Sequence, residues 1–289
     1  MIVLVAFGKR GYGLMAHNLA FSIKHHNKNI KVGLWIDKAL HDTLPDRSLF
    51  DDIRILSESD YRDKKGKIDP AKAKTQLYRL GTAMADKFLY LDVDGLCLGD
   101  LQPLLDSLDG LQIATEVIAT GGKSDKIEYS IWSTNENIWK FFELEDNAKL
   151  CAIQSSWAYF EKCEIGDRMQ AWLDYYMEVG LPRWMLTQIW GGTLPDELMY
   201  QGVYAKLGIV PSYNGKVVFF GNSRAKETEQ EVKENYKVLS LYGNGGNTTR
   251  TLTVAKWLKL HDVLLREYGA KPIYKAREVM NDKHANSRN

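Results

Sequence analysis

The chain has 289 residues, of which 45% are hydrophobic and 26% are charged. These are ordinary values for a globular protein with one large domain or two small ones. Its 38 Lys and Arg against 37 Asp and Glu leave a net charge of +1, which gives no support to a general nucleic-acid-binding or acidic-membrane surface.

The cysteines and the apolar segments indicate a cellular compartment. Cys97, Cys151 and Cys163 show neither metal-ligand spacing nor an even-numbered disulfide framework, and free thiols are typical of reducing compartments. Residues 1–7 are apolar but lack the basic leader of a signal peptide. No stretch approaches the run of about 20 apolar residues that a membrane span needs. We therefore expect a soluble, cytoplasmic protein without a membrane span.

The first hundred residues alternate between short apolar runs and helical patterns. Asp69-Pro70 provides an N-cap followed by proline at the first helical position. Continuously apolar strands that alternate with helices indicate a parallel sheet covered on both faces. The sequence thus predicts an α/β nucleotide-binding architecture. The predicted strands are 2–7, 32–36, 53–56 and 88–91, and the predicted helices are 14–26 and about 71–85.

Beyond residue 110 the pattern is mixed, and no repeat or linker separates two independent domains. We expect a single domain over 1–274, with a nucleotide-binding half (1–105), an acceptor and sugar half (106–274) and a frayed polar tail (275–289). The predicted strands here are 110–116, 129–132, 152–160, 217–220 and 238–241. The predicted helices are 136–143, 167–178, 195–207 and 254–268.

The most informative stretch is residues 88–101, in which an apolar run ends in Asp92 and Asp94. In extended backbone, residues i and i+2 point to the same face, so both carboxylates can bind one cation. A divalent ion held by carboxylates and by phosphate oxygens is the usual partner of a diphosphate. The end of a strand is also where an open α/β sheet binds its ligands. The alternative is an ordinary acidic turn after a strand.

A longer pattern surrounds this pair: Lys74, then Tyr78-Arg79-Leu80, then Tyr90-Leu91-Asp92-Val93-Asp94, then Gly99-Asp100-Leu101. It resembles glycosyltransferase family 8, best over residues 1–105 and less closely afterwards. The resemblance implies a GT-A fold, a nucleotide-sugar donor that is usually a UDP-sugar, and transfer with retention. It also implies Mn²⁺ or Mg²⁺ at the Asp-x-Asp motif, with Asp92 and Asp94 as metal ligands and Val93 beside the nucleotide.

The first loop, residues 8–13, is rich in glycine but matches neither a Walker loop nor the dinucleotide fingerprint. Its glycines allow close backbone approach, and the helix that follows favours an anion. In the resembled family this loop gives backbone and aromatic contacts to the base. Ala6, Phe7, Gly8 and Tyr12 are therefore candidate nucleotide contacts, with the two rings flanking uracil. The alternative is a plain glycine-rich turn.

Two basic residues lie before the acidic pair, on the predicted helix 71–85. Lys74 and Arg79 are five residues apart, so they do not share one helical stripe and at most one of them faces the site. The resemblance implies that a basic residue here touches the donor, and each of the two fits one version of the family pattern. Solvated charge is the alternative for either.

Polar residues on the predicted strand 152–160 form the next candidate. Gln154 and Ser155 occupy the place where the resembled family lines the sugar pocket with a short polar run, and Ser156 follows them. Amide and hydroxyl groups suit sugar hydroxyls because each can both donate and accept a hydrogen bond. A polar strand face exposed to water is the alternative.

Asp196 and Glu197 follow a glycine-rich turn, in the first turn of the predicted helix 195–207. The resembled family has an Asp-Gln pair here, close to the anomeric carbon, so Glu197 replaces the Gln. The resemblance implies that Asp196 binds donor-sugar hydroxyls. Glu197 would stabilise oxocarbenium-like charge or orient the acceptor. The alternative role for both acids is helix capping, worth about 0.3–1 kcal/mol each.

Residues 241–247 depart from the family pattern, which places a His metal ligand and a Gly-x-x-Lys segment here. This loop has glycines, Gly243 among them, but no His and no Lys, and the six histidines of the chain lie elsewhere. Asn244 or the Tyr242 hydroxyl can supply an oxygen ligand. Lys216 and Arg224 are alternative phosphate partners.

Two other functions fit part of the pattern. Asp92-Val93-Asp94-Gly95-Leu96 resembles the first motif of haloacid-dehalogenase-type phosphatases, but strands precede it, Leu96 stands where Thr is usual, and no later acidic pair is evident. A protein that binds a nucleotide-sugar without catalysis is the second alternative. The acceptor (a glycan, a protein, a small molecule or a modified base), the donor sugar and the oligomeric state are not encoded in any pattern that we recognise.

Overall fold

A computed structural model describes residues 1–125, 133–180, 182–185, 195–211, 213, 215–221, 225–241, 252–271 and 273–277. The strands are β1 Ile2–Ala6, β2 Val32–Ile36, β3 Asp52–Ile55, β4 Lys87–Leu91, β5 Gly95–Cys97, β6 Ile113–Gly121, β7 Leu150–Glu161, β8 Val218–Phe220 and β9 Val238–Ser240. The helices are α1 Arg10–His26, α2 Lys38–Asp42, α3 Glu58–Tyr61, α4 Pro70–Lys74, α5 Leu77–Thr82, α6 Gln102–Leu108, α7 Asn135–Phe142, α8 Glu164–Val179, α9 Asp196–Leu207, α10 Glu229–Asn235 and α11 Leu252–Glu267. Short 3₁₀ helices cover Arg47–Leu49 and Arg183–Met185.

The strands form a central sheet in the order β3-β2-β1-β4-β7-β6 and a smaller sheet in the order β5-β9-β8. β1, β2 and β3 pair in parallel, whereas β6 pairs antiparallel with β7. Sheets that combine parallel and antiparallel pairs are common in α/β folds. The α/β architecture predicted from the sequence is confirmed. No helix within the described residues is long and apolar enough to span a membrane.

The chain divides into two compact units, the first comprising Met1–Leu56, Leu91–Ser107 and Gly215–Asn289. In this unit β1 is apolar throughout, and none of its residues is more than 7% exposed. β1 pairs with β2 from Ile2 opposite Val32 to Ala6 opposite Ile36. α1 packs against β1 and β5. The smaller sheet also belongs to this unit, since Gly95 lies opposite Ser240.

The second unit comprises Ser57–Tyr90 and Leu108–Asn214. Its framework is the long β6–β7 pair, with α9 packed on β7 and α8 packed on α9. Large side chains fill the interior, and Phe142, Trp157, Phe160 and Tyr204 are each less than 2% exposed. Burial of aromatic side chains of this size is the main stabilising contribution to such a core.

One predicted helix, 71–85, is wrong, because the chain forms α4 and α5 with a break at Thr75 and Gln76. The N-terminal part is as predicted, with Asp69 accepting hydrogen bonds from the first turn and Pro70 at the first position. At the break the Gln76 N–H bonds Ala73 O, only three residues back. The Gln76 side-chain amide donates to Lys72 O at 2.8 Å, where the i−4 bond of a continuous helix would form.

Several predicted boundaries also move, two of them for a local structural reason. α1 begins at Arg10, four residues before the predicted start, because the glycines at 11 and 13 join the helix rather than the loop. β6 begins at Ile113 rather than 110, because Gly110 and Gln112 adopt left-handed backbone with φ of 86° and 59°. The predicted strand 129–132 lies outside the described residues.

Candidate active site

The loop after β1 is fixed by a carboxylate from the end of β2. Gly8 has a left-handed φ of 83°, which glycine adopts without strain. Its N–H donates to Asp37 Oδ2, and Asp37 Oδ1 caps α2 by accepting from Leu40 N at 2.8 Å. Asp37 N donates to Ala6 O at 3.2 Å. Asp37, only 4% exposed, is thus a positioning residue for the loop that the sequence analysis missed.

The two aromatic candidates of this loop lie close together. The rings of Phe7 and Tyr12 are stacked, with centroids 6.4 Å apart and an interplanar angle of 23°. Tyr12 lies in the first turn of α1, so one ring is held by the helix and the other by the loop. Two nearly parallel rings beside a helix N-terminus offer a stacking surface next to a site suited to phosphate.

The acidic pair lies in a turn between β4 and β5. Val93 and Asp94 are the turn residues, so the extended backbone predicted through Asp94 is wrong. At the start of β5, a Cβ added at Gly95 would lie 2.8 Å from Val238 Cγ1, so this position has no room for a side chain. Asp94 is 5% exposed and Asp92 is half-buried. Metal binding by the pair stays a prediction.

The end of β9 joins the chain next to this turn. Leu241 N donates to Asp94 O at 2.9 Å, so the segment that leads to Gly243 and Asn244 starts beside Asp94. Gly243 and Asn244 themselves lie outside the described residues. Among the residues that are described, no group of three or more His, Cys, Asp or Glu side chains forms a metal site.

In the second unit a polar cluster surrounds Lys74, at the end of α4. Lys74 Nζ lies 3.4 Å from Ser155 Oγ, 3.5 Å from Ser155 O and 3.9 Å from Asp196 Oδ2. Ser155 N donates to Glu197 Oε1 at 3.3 Å. Tyr200, which the sequence analysis missed, holds the Lys74 backbone through a 2.8 Å hydrogen bond from its hydroxyl to Lys74 O. The cluster therefore brings together four residues predicted separately.

Asp196 has a buried acceptor atom in this cluster. Its Oδ2 has no hydrogen-bond partner among the described residues, and its contact with Lys74 Nζ is a long 3.9 Å ion pair. A buried polar atom without a hydrogen bond is unfavourable. The Asp196 side chain as a whole is 19% exposed, so it lies at the edge of the cluster rather than deep in the core. The predicted helix start in the Pro-Asp-Glu turn is confirmed, since α9 begins at Asp196.

Arg79 lies with different partners. It forms an ion pair with Asp174 at 2.8 Å in which both side chains are nearly half exposed, at 49% and 45%. Its other guanidinium nitrogen donates to Gln76 Oε1. Lys74, in contrast, is 23% exposed within the polar cluster. The geometry favours Lys74 over Arg79 as the basic residue of the site.

For the donor cleavage that the sequence resemblance implies, we expect Lys74→Met to lower kcat/KM about 10- to 100-fold, the equivalent of one charged hydrogen bond of about 1.5–3 kcal/mol. Arg79→Met, the matched control, should change kcat/KM less than about threefold because exposed ion pairs contribute about 0–1 kcal/mol. Steady-state kinetics of both variants measures this. Equal losses in the two variants would contradict the assignment.

Gln154 and Ser155 lie at an irregularity of the β6–β7 pair. Thr115 is opposite Ala158, but the next residue, Glu116, is opposite Gln154. Residues 155–157 therefore have no partner on β6, and we call them the β7 bulge. Bulges of this kind re-aim side chains next to active sites, and here the bulge places Ser155 against Lys74 and Glu197.

Glu116, on β6 where the register with β7 shifts, is a further residue that the sequence did not reveal. Burial raises the pKa of its carboxyl, and the Trp157 side chain beside it lowers that pKa by a smaller amount. Within the described residues, no Lys or Arg forms an ion pair with it. A half-buried carboxyl opposite Gln154 without a cation is a candidate sugar-hydroxyl ligand. Only the long-range pairing of β6 with β7 reveals it.

We expect Glu116→Gln to leave the free energy of unfolding unchanged or raise it by up to about 1 kcal/mol at pH 8. A carboxyl whose pKa is raised on folding binds more protons in the folded state, so its contribution to stability falls as pH rises from the unfolded pKa through the folded one. Urea unfolding should show little difference between variant and wild type at pH 4 and the full difference at pH 8. The exposed Glu178→Gln is the control. A variant that is less stable at pH 8 would contradict the environment described.

The sequence matches no protein-family profile and no curated protein, but solved structures share the fold. The galactosyltransferase LgtC in complex with donor and acceptor sugar analogs is 15% identical with a TM-score of 0.54, over 94% of this chain and 98% of that one. An active-site mutant of LgtC is 14% identical with a TM-score of 0.53, over 96% and 100%. The bifunctional glycosyltransferase WbbM is 14% identical with a TM-score of 0.58, over 97% of this chain and 51% of WbbM. The chain therefore has the GT-A fold of these glycosyltransferases.

Proposed function

We propose that this protein is a glycosyltransferase of the family 8 type, which transfers a sugar from a nucleotide-sugar, a UDP-sugar, to an acceptor with retention. The fold shared with LgtC and WbbM supports a nucleotide-sugar enzyme. The single observation that carries the proposal is the buried Asp196 Oδ2, which lacks a hydrogen bond in a cluster with Lys74, Ser155 and Glu197. Sugar hydroxyls are donors suited to such an acceptor.

The first unit supplies the residues for the nucleotide. We assign binding of the nucleotide base to the Phe7 and Tyr12 rings. The backbone of the loop supplies the nucleotide contacts that the sequence predicts at Ala6 and Gly8. Asp37 holds this loop in place through its bond from the Gly8 N–H. Val93 and Gly243 remain predicted contacts of the nucleotide.

Mn²⁺ or Mg²⁺ fits the donor set that follows β4. Asp92 and Asp94 carry hard oxygen donors two positions apart between β4 and β5, and Asn244 is the predicted third ligand in the chain that continues from Leu241. When bound, the ion supplies Lewis-acid neutralisation of the charge that develops on the leaving nucleoside diphosphate.

The second unit supplies the residues for the transferred sugar. Asp196 accepts a hydrogen bond from a donor-sugar hydroxyl, and Lys74 contributes positive charge beside it. Ser155 and Gln154 provide polar groups for the remaining hydroxyls. Glu197, oriented by the Ser155 N–H, lies where a carboxylate stabilises oxocarbenium-like charge or orients the acceptor. The predicted nucleotide half (1–105) and sugar half (106–274) stay a prediction from the sequence and do not coincide with the two units, because residues 57–90, with Lys74, belong to the second unit.

The test is a screen for donor cleavage. The purified protein is incubated with UDP-glucose, UDP-galactose, UDP-xylose and UDP-N-acetylglucosamine, each with Mn²⁺, with Mg²⁺ or with EDTA, and released UDP is measured. We expect slow, metal-dependent UDP release from one of these donors in the absence of acceptor. UDP binding without release from any donor, with or without added glycan acceptors, would support a non-catalytic nucleotide-sugar-binding protein instead.

A further inference from the structure

The β7 bulge is fixed by one buried hydroxyl on the neighbouring strand. Thr115 Oγ1 lies 2.7 Å from Trp157 O and 3.2 Å from Gln154 O, the carbonyls at the two ends of the bulge. The Thr115 N–H is turned away from β7 and donates to Pro211 O at 2.9 Å. Thr115 is 1% exposed, so water cannot replace its hydroxyl without rearrangement. The Thr115 side chain thus joins β6 to β7 where the backbone hydrogen bonds between the two strands are interrupted.

The three residues of the β7 bulge differ in their surroundings: Trp157 is packed in the core, whereas Ser155 and Ser156 present polar groups. Its last residue, Trp157, is 1% exposed and packs edge-on against Tyr213, with ring centroids 5.8 Å apart. Its middle residue, Ser156, is 7% exposed, and its Oγ has no hydrogen-bond partner among the described residues. Its first residue, Ser155, contacts Lys74 and Glu197. One end of the bulge is anchored, and the other carries polar groups of the candidate site.

We propose that Thr115 is a positioning residue: its hydroxyl holds the β7 bulge in the shape that places Ser155 against Lys74 and Glu197. The inference rests on the proposed glycosyl transfer at this cluster and adds a residue that does not touch the sugar. The Thr115 hydroxyl has one proton to share between Gln154 O and Trp157 O, so this single group fixes both ends of the bulge. Displacement of a site residue by about 1 Å is enough to cost about 100-fold in rate.

The side-chain chemistry gives a matched set of variants. Thr115→Val has nearly the same shape but no hydroxyl, whereas Thr115→Ser retains the hydroxyl and loses a methyl group. Ser133→Ala is the control, because Ser133 is a second buried hydroxyl of the same unit that donates to a backbone carbonyl, Met185 O. Its loss should lower the melting temperature without touching the bulge.

The measurement is kcat and KM for UDP release from UDP-glucose and UDP-galactose with Mn²⁺, together with the melting temperature of each variant. We expect Thr115→Val to lower kcat at least about tenfold with KM within about threefold, because the sugar cluster moves while nucleotide contacts remain. Thr115→Ser should stay within about threefold of wild type in kcat. Ser133→Ala should keep wild-type kcat although it is less stable.

The outcomes separate the two proposals. A wild-type protein that cleaves no nucleotide-sugar would overturn the proposed function. An active wild type with unchanged kcat in Thr115→Val, or with the same loss in Ser133→Ala, would overturn the positioning role alone. If Thr115→Val does not fold, Thr115→Ala at reduced temperature provides the same comparison, because it also removes the hydroxyl that bonds Gln154 O and Trp157 O, and it should show the same loss of kcat.

Discussion

Replacing Asp94 by Asn should lower metal-dependent donor cleavage by about 1,000-fold or more, equivalent to about 4 kcal/mol of transition-state stabilisation. The exchange keeps the shape of the side chain but removes the negative charge that the proposed metal site needs. Asp94 is 5% exposed and lies in the turn between β4 and β5. Its backbone carbonyl still accepts from Leu241 N, so we expect the fold to survive.

The matched control is Asp106→Asn, the same chemical change at an exposed position on α6 of the same unit. It should leave kcat/KM and its Mn²⁺ dependence within about twofold of wild type, since surface substitutions of this kind change stability by about 0.5 kcal/mol or less. Mn²⁺ titration of UDP release, with circular dichroism to verify folding, measures both variants. A folded Asp94→Asn protein with wild-type activity would remove the acidic pair from the mechanism.

Asp196→Asn is the second large effect that we expect, with kcat lowered about 100- to 1,000-fold by the loss of a preorganised carboxylate. The buried Oδ2 has no hydrogen bond among the described residues. Its contact with Lys74 Nζ is a long ion pair at 3.9 Å. The amide retains an acceptor oxygen but not the charge, so substrate binding should suffer less than kcat.

The competing explanation for Asp196 is stabilisation of the α9 N-terminus, which predicts a different result. Loss of a helix-terminal carboxylate costs about 0.3–1 kcal/mol of folding stability and nothing in catalysis. Glu164→Gln is the control, because Glu164 is an exposed acid in the first turn of α8. Thermal unfolding of both variants and their kcat values decide the matter. If Asp196→Asn loses only the stability that Glu164→Gln loses, the residue is a helix cap and not part of the site.

The parts of the fold that depend on local chemistry were predictable from the sequence. Ile2–Ala6 is a continuous apolar run and forms a buried strand, and Asp69-Pro70 starts α4. The break at Gln76 was not predictable, because it depends on a side-chain amide that bonds both its own helix and Asp60 O. Helix propensity does not encode such a choice between hydrogen bonds.

The residues of the candidate site also fall into two groups, those that the sequence predicted and those that only the structure revealed. Lys74, Ser155, Asp196 and Glu197 were found through motifs, and the structure places them in one cluster. Glu116 and Thr115 have no motif of their own, because their significance comes from the register of β6 against β7, where Glu116 is opposite Gln154. Register between strands 38 residues apart is set by tertiary packing rather than by local sequence.

The most direct test of the account is calorimetric titration of UDP into the wild-type protein and into Asp94→Asn, each with Mn²⁺ and with EDTA. We predict UDP binding to the wild type that is at least about tenfold tighter with Mn²⁺, a coupling of about 1.4 kcal/mol or more, and no Mn²⁺ effect in the variant. UDP affinity that is the same with Mn²⁺ and with EDTA, or no UDP binding at all, would contradict a metal-dependent nucleotide-sugar site in this chain.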